Sequence, residues 1–175
     1  KEKFAKDIDK AVFPGFQGGP HENNIAGKAV AFKEAMEPEF KEYAKQIKKN
    51  IKILEAEFNR LGYKLCFGGS DNHLLLIDVT PKGVTGKQAQ IALDKAGITV
   101  NKNMIPDDPR SPMDPSGIRL GTPAITTRGM KEPEMKTIAG WIDEAIMNWQ
   151  DDAKLADIKQ RVIELTKNFP LYPTL

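Results

Sequence analysis

This chain of 175 residues is short of the residue types that most often announce chemistry. It has one cysteine, Cys66, so no intrachain disulfide can form, and Cys66 is expected to sit in a strand as a small hydrophobe. It has two histidines, His21 and His73, far apart and without a supporting Cys/His/Asp cluster, so no metal site is expected. His73 opens an apolar stretch and reads as structural. His21 follows a glycine turn, where it can cap a helix or join a subunit contact. Charge of one sign is lacking too: 26 Lys+Arg against 24 Asp+Glu leave a net +2, too balanced for a nucleic-acid partner. The densest basic stretch, Lys41, Lys45, Lys48, Lys49 and Lys52, has acids interleaved and reads as a solvated helix face. No signal-peptide pattern and no long apolar run occurs, so no membrane partner is expected and the cytosol is the expected compartment. Neither a nucleophile elbow nor a phosphate-binding P-loop pattern is present.

What is there is helical periodicity broken by short apolar runs. The length suits one core with an appended arm. Residues 1–20 read as a connector ending in a glycine-rich turn, and Asn23–Met36 as an alanine-rich helix. Pro38 either kinks that helix or opens another. Phe40, Tyr43, Ala44, Ile47, Ile51, Leu54, Phe58 and Leu61 form one apolar stripe of a long amphipathic helix, with Gly62 placed to end it. Tyr63–Phe67 and His73–Val79 read as strands around a Gly68–Asn72 turn. Thr85 can cap a helix running to Ala96, with Gly97 past its end. A short strand is expected over Ile98–Val100, then a loop over Asn101–Ser116 with four prolines and three aspartates. A strand follows at Ile118–Gly121. Two helices come last: one from Glu132 or Pro133 to about Trp149, with Met135, Ile138, Ile142, Ala145 and Ile146 inward, and one over Ala153–Lys167 with Leu155, Ile158, Val162 and Leu165 inward. Phe169–Pro173 closes the chain. The expected class is α/β, with helices packed on a small, largely antiparallel sheet.

Three places could carry chemistry. In Ser116–Ala124, strand alternation puts Ile118 and Leu120 on one face and Arg119 on the other, with glycines on both sides that admit a ligand or a second backbone. A guanidinium held this way suits two-pronged recognition of a carboxylate; the alternative is an edge-strand arginine in a surface ion pair. Gly18 and Gly19 precede a helix and expose backbone amides to an anion, or they simply form a turn. Asn103 offers donor and acceptor together, or bonds its own backbone as loop asparagines do.

Several ordered segments resemble serine hydroxymethyltransferase: Phe13-Pro14-Gly15-Phe16-Gln17-Gly18-Gly19-Pro20, Ala26–Ala31, Glu37-Pro38-Glu39-Phe40, Asp71-Asn72-His73-Leu74, Thr99-Val100-Asn101-Lys102-Asn103, Ser116–Ala124 and Thr122–Thr126. The resemblance runs from about Val12 to Trp141. It implies the small C-terminal domain of a fold-type I pyridoxal-phosphate enzyme over residues 37–175, preceded by a connector and helix, residues 1–36, of the large-domain or interdomain region. It implies Arg119 as the ligand of the substrate α-carboxylate, Asn103 as a contact to the folate pterin, and Gly18 and Gly19 as the turn that reaches the neighbouring subunit's cofactor phosphate. The implied reaction interconverts serine and glycine with tetrahydrofolate as one-carbon acceptor and pyridoxal 5'-phosphate as electron sink, in a homodimer or higher homo-oligomer. The chain departs from the family at Met113, where many members carry phenylalanine, and at Asp114-Pro115, so no aromatic folate contact is expected from this loop. The family's Schiff-base lysine follows a threonine- and histidine-containing run, and that run and the family's Asp-x-Ala-His segment are absent here. With no initiator methionine at Lys1, the chain is expected to be the C-terminal part of a longer protein and catalytically inactive alone. The rival expectations are a non-catalytic oligomerisation module and a folate-independent aldolase of the same fold type.

Overall fold

The computed structural model describes residues 1–171; Tyr172 and Pro173 of the expected closing segment lie outside the described residues. The chain forms two compact units, Lys1–Lys41 and Glu42–Leu175.

The first unit is more helical than the expected connector. Helix α1, Ala5–Lys10, continues into a wide turn over Ala11–Phe16. The helical path fails at Phe13 (φ −133°, ψ 122°), because the ring of Pro14 bars the residue before it from the helical region. Helix α2 spans Glu22–Met36 and contributes no buried residue. His21 stands at its N-cap, yet the imidazole caps nothing; its carbonyl accepts the Asn24 and Ile25 N–H groups. Glu37 is extended, as a residue before proline must be, so Pro38 opens a new helix rather than kinking α2.

That helix, α3 (Pro38–Arg60), carries the expected stripe into the second unit, where Ile51, Leu54 and Phe58 are buried. Gly62 follows it at φ +78°, a left-handed exit that glycine adopts without strain. Four strands form one antiparallel sheet in the order β1-β2-β4-β3: β1 Lys64–Leu65, β2 Leu74–Asp78, β3 Asn101–Asn103 and β4 Gly117–Gly121. Helix α4 (Gly86–Lys95) starts with a reciprocal cap, in which Thr85 accepts the Gln88 N–H and Gln88 accepts the Thr85 N–H. A short helix α5 (Pro123–Thr127) follows β4, and α6 (Glu132–Met147) and α7 (Asp152–Lys167) complete the unit.

Two expected strands move. Tyr63–Phe67 shrinks to two residues, because Phe67 takes φ +59° and the chain turns through a 3-10 helix at Cys66–Gly68. Cys66 is thus buried in a turn and not in a strand. The strand expected at Ile98–Val100 forms instead at Asn101–Asn103, inside the expected loop. Val100 is core and Ile98 packs against it, so the apolar run feeds the interior while Asn-Lys-Asn supplies the ladder through its backbone.

The core lies between the helices and one sheet face. Leu75, Ile77 and Ile118 are fully buried there with Ile51, Leu54, Phe58, Leu93, Met135, Ile142, Ile146 and Leu155. Ile138, Val162 and Leu165, expected inward, are only partly covered. The mixed α/β class with a small antiparallel sheet is as the sequence implied.

Candidate functional site

Alternation along β2 and β4 decides what the other sheet face presents. With Leu75, Ile77 and Ile118 buried, Leu74, Leu76 and Arg119 point away from the core. They line an open cleft of about 500 Å³ with Asn103 of β3, Lys52 of α3 and the loop 66–72. Arg119 and Asn103, singled out separately, therefore share one cavity. Gly18 and Gly19 belong to the first unit.

Arg119 sits on an inner strand, opposite Leu76 on β2 and Asn101 on β3. Arg60 pairs with Glu57, Arg110 with Asp114 and Arg161 with Glu144, and Arg128 donates to the Phe169 carbonyl. Among the described residues, the Arg119 guanidinium has no hydrogen-bond acceptor and no acidic partner. The ion pair of the alternative reading, a surface edge-strand arginine, is absent among the described residues, and five donors remain for a ligand. The flanking glycines serve the backbone. A Cβ at Gly117 would come 2.9 Å from the Asn103 carbonyl oxygen, and one at Gly121 would come 2.8 Å from that of His73. His73 is itself exposed, and its carbonyl accepts the Thr122 N–H.

Asn103 ends β3 and is half-buried. Its amide nitrogen donates to the Met104 carbonyl at 2.7 Å, the local bond expected of a loop asparagine. The residue nonetheless lines the cleft. Met113 is 71% exposed and does not line the cleft.

The opposite wall is fastened to α3. Glu55 accepts the Ser70 N–H at 3.0 Å and pairs with Lys52 at 2.9 Å. Burial pushes the Glu55 carboxyl up, but these two donors outweigh it and hold the group below its ordinary value. Gly69 (φ +139°) lies against that carboxylate, where any side chain would collide with it. Burial, then the Asp78 charge, pushes the Cys66 thiol up, so it behaves as an inert hydrophobe. Phe67 stands 85% exposed at the rim.

The sequence reading passed over Asp108. Its Oδ2 accepts the Ile105 N–H (3.1 Å) and the Ser116 N–H (2.9 Å); its Oδ1 accepts the Arg110 N–H (2.9 Å) and the Ser116 hydroxyl (2.7 Å). Desolvation raises its pKa, but the donors, led by Ser116, pull it down to about 2. Asp108-Pro109-Arg110 is an Asx-turn pattern, the signal that could have singled it out.

Gly18 and Gly19 are exposed, and a Cβ at either would meet nothing within 4 Å. Neither N–H group donates to the backbone of the described residues.

The model of the family described as serine hydroxymethyltransferase matches residues 1–142. The serine hydroxymethyltransferase of Myxococcus xanthus (strain DK1622) is 59% identical over 172 residues, covering 98% of this chain and 41% of that protein. The chain therefore spans less than half the length of the curated relative it matches. A family match over most of the chain, with an identity this high, means that the chain belongs to the serine hydroxymethyltransferase family.

Proposed function

We propose that the chain is the C-terminal portion of an enzyme that interconverts serine and glycine with tetrahydrofolate, in the cytoplasm and as a homo-oligomer. Residues 37–175 are then its small domain and residues 1–36 belong to its large-domain or interdomain region. Arg119 binds the substrate α-carboxylate with a two-pronged contact, and Asn103 contacts the folate. The observation that carries this reading is the Arg119 guanidinium: on an inner strand, without a partner among the described residues, in the same cleft as Asn103. An arginine fixed by a strand on either side orients a carboxylate better than one on a loop, and orientation is what such a reaction needs.

Pyridoxal phosphate, when bound, supplies an electron sink for bonds broken at the amino-acid α-carbon. The open amides of Gly18 and Gly19 fit its phosphate on a neighbouring subunit. In this reading Arg119, Asn103, Gly18 and Gly19 bind and orient the reactants.

The test is a chimera in which this chain replaces the corresponding 41% of the Myxococcus xanthus enzyme. Arg119→Lys keeps the charge but loses the coplanar pair of bonds. Loss of kcat/KM on the order of a hundredfold is expected with both serine and glycine, while cofactor content is unchanged. Near-normal amino-acid kinetics would return Arg119 to an ordinary strand residue. The unfused chain should show no turnover with serine, tetrahydrofolate and pyridoxal phosphate.

A further inference from the structure

β3 is one of the two edge strands of the sheet. It pairs on one side only, with β4, through three residue pairs; β4 is also paired with β2 through five. The two strands that carry Asn103 and Arg119 are therefore held very unequally. Besides that ladder, the Gln90 side chain accepts the Lys102 N–H at 2.7 Å, the Lys102 ammonium donates to the Met113 carbonyl at 2.8 Å, and Asp108 closes the far end. A single oxygen of Asp108 accepts the N–H of Ile105, two residues past Asn103, and that of Ser116, one residue before β4. The carboxylate clips the exit of one strand to the entry of the other. Four donors converge on it, two per oxygen, and only an ionised carboxylate has acceptors on both atoms. An asparagine there keeps an acceptor on one atom only, so in either orientation its NH₂ group faces at least one of the N–H groups that Asp108 accepts.

We propose that Asp108 is a positioning residue that fixes the edge strand bearing Asn103, and so sets affinity for the ligand held at that end of the cleft without altering the Arg119 end. The inference rests on the reading of Asn103 as a folate contact. β4 keeps its ladder to β2 whatever happens at Asp108, so slack appears in β3 alone.

Two measurements test it. In the chain itself, Asp108→Asn should speed amide hydrogen exchange at Lys102, Asn103 and Ile105 on the order of tenfold or more, while Leu75–Ile77 stay protected. A uniform rise across the sheet would mean general destabilisation and would overturn the proposal. In the chimera, Asp108→Asn should raise KM for tetrahydrofolate roughly tenfold and leave KM for serine near its starting value. Asn103→Ala serves as the control, and the double variant should add little to the larger single effect, because both act through one contact. If Asn103→Ala raises folate KM but Asp108→Asn does not, or raises serine KM equally, the proposal fails and the site reading stands. If Asn103→Ala leaves folate KM unchanged, the folate reading falls and takes the proposal with it. Should Asp108→Asn not fold, Ser116→Ala removes one of the four donors and should give the same split at smaller size.

Discussion

The Tyr63 hydroxyl donates to Asp143 at 2.9 Å, and the Lys82 ammonium lies 3.4 Å from the same carboxylate oxygen and 4.6 Å from the centre of the Tyr63 ring. Lys82 also donates to the Leu61 carbonyl at 2.7 Å, so the group ties the end of α3 to the Thr80–Lys82 turn and to α6. Tyr63→Phe removes one bond but leaves Asp143 its Lys82 partner, so a cost of about 1–2 kcal/mol is expected, read as a lower urea midpoint at unchanged slope. Burial, then the Asp143 charge, holds the Tyr63 phenol well above its usual range. The folded state keeps a proton that the unfolded state releases near pH 10, so this contribution is complete below about pH 10 and is lost above it. Tyr63→Phe should flatten that alkaline loss.

Asp108 gives the opposite slope. Its folded pKa, about 2, lies below the ordinary carboxylate value, so its contribution is present above about pH 4 and is lost as pH falls through about 2. Thermal denaturation from pH 5 to 2 should show the wild-type chain and Asp108→Asn converging in stability as pH falls. A constant gap would count against the hydrogen-bonded carboxylate.

Asn50 is fully buried within α3. It donates to the Thr126 hydroxyl (2.9 Å) and the Met130 carbonyl (3.0 Å) and accepts from Gln46 (2.9 Å), while Thr122 donates to the Ile47 carbonyl (3.0 Å). This network sets α5, directly after the arginine strand, against α3. Asn50→Ala leaves a buried carbonyl unpaired and a void, and should cost about 2–4 kcal/mol in chemical denaturation. Asn50→Asp, which loses both donors, should fare no better.

Two helical glycines should respond to alanine in opposite directions. A Cβ at Gly86 would strike the Gly117 carbonyl oxygen and come 3.0 Å from that of Pro115, both of them backbone. Gly86→Ala should therefore destabilise by about 3 kcal/mol or more, or prevent folding. At Gly140, inside α6, a Cβ would meet nothing within 4 Å, and Gly140→Ala should stabilise by about 0.5–1 kcal/mol. Melting temperatures of the two variants decide both.

Ile25, Val30, Phe32 and Met36 of α2 are all exposed. Exposed apolar surface of this kind drives association, so the chain should self-associate and bind a hydrophobic dye, and Phe32→Glu with Met36→Glu should reduce both. A clean monomer at high concentration without dye binding would contradict this.

The longer helices were the legible part of the sequence, because their signals are local, whereas the short α1 and α5 were not expected. The apolar stripe, the Thr85 cap and the glycine exits each depend on a few neighbouring residues. Strand placement is not local. Ile98–Val100 has the composition of a strand, yet β3 forms over Asn-Lys-Asn because β4 supplies the partner and the apolar residues are needed inside. Phe67 ends β1 by adopting φ +59°, a left-handed conformation that nothing about phenylalanine foretells. Asn50 was readable in principle: it lies three residues after Ile47 and four before Leu54, on the apolar face of α3, where a polar residue implies a buried partner. Arg119 could be placed on a strand from sequence alone, but its lack of a partner is a fact about the whole surface around it.

The order β1-β2-β4-β3 also has a consequence for the sequence of folding events. Asp78 pairs with Gly117 and Leu74 with Gly121, so closing the central ladder also closes a loop that contains α4, β3 and the Asp108 turn. That closure carries the loop entropy of the whole intervening segment, whereas the helices form from near neighbours. The ladder that holds Arg119 is thus a long-range contact, expected to form later than the local turns of α3 and α4. A partly folded chain can hold α3 and α4 and still lack the ladder that places Arg119.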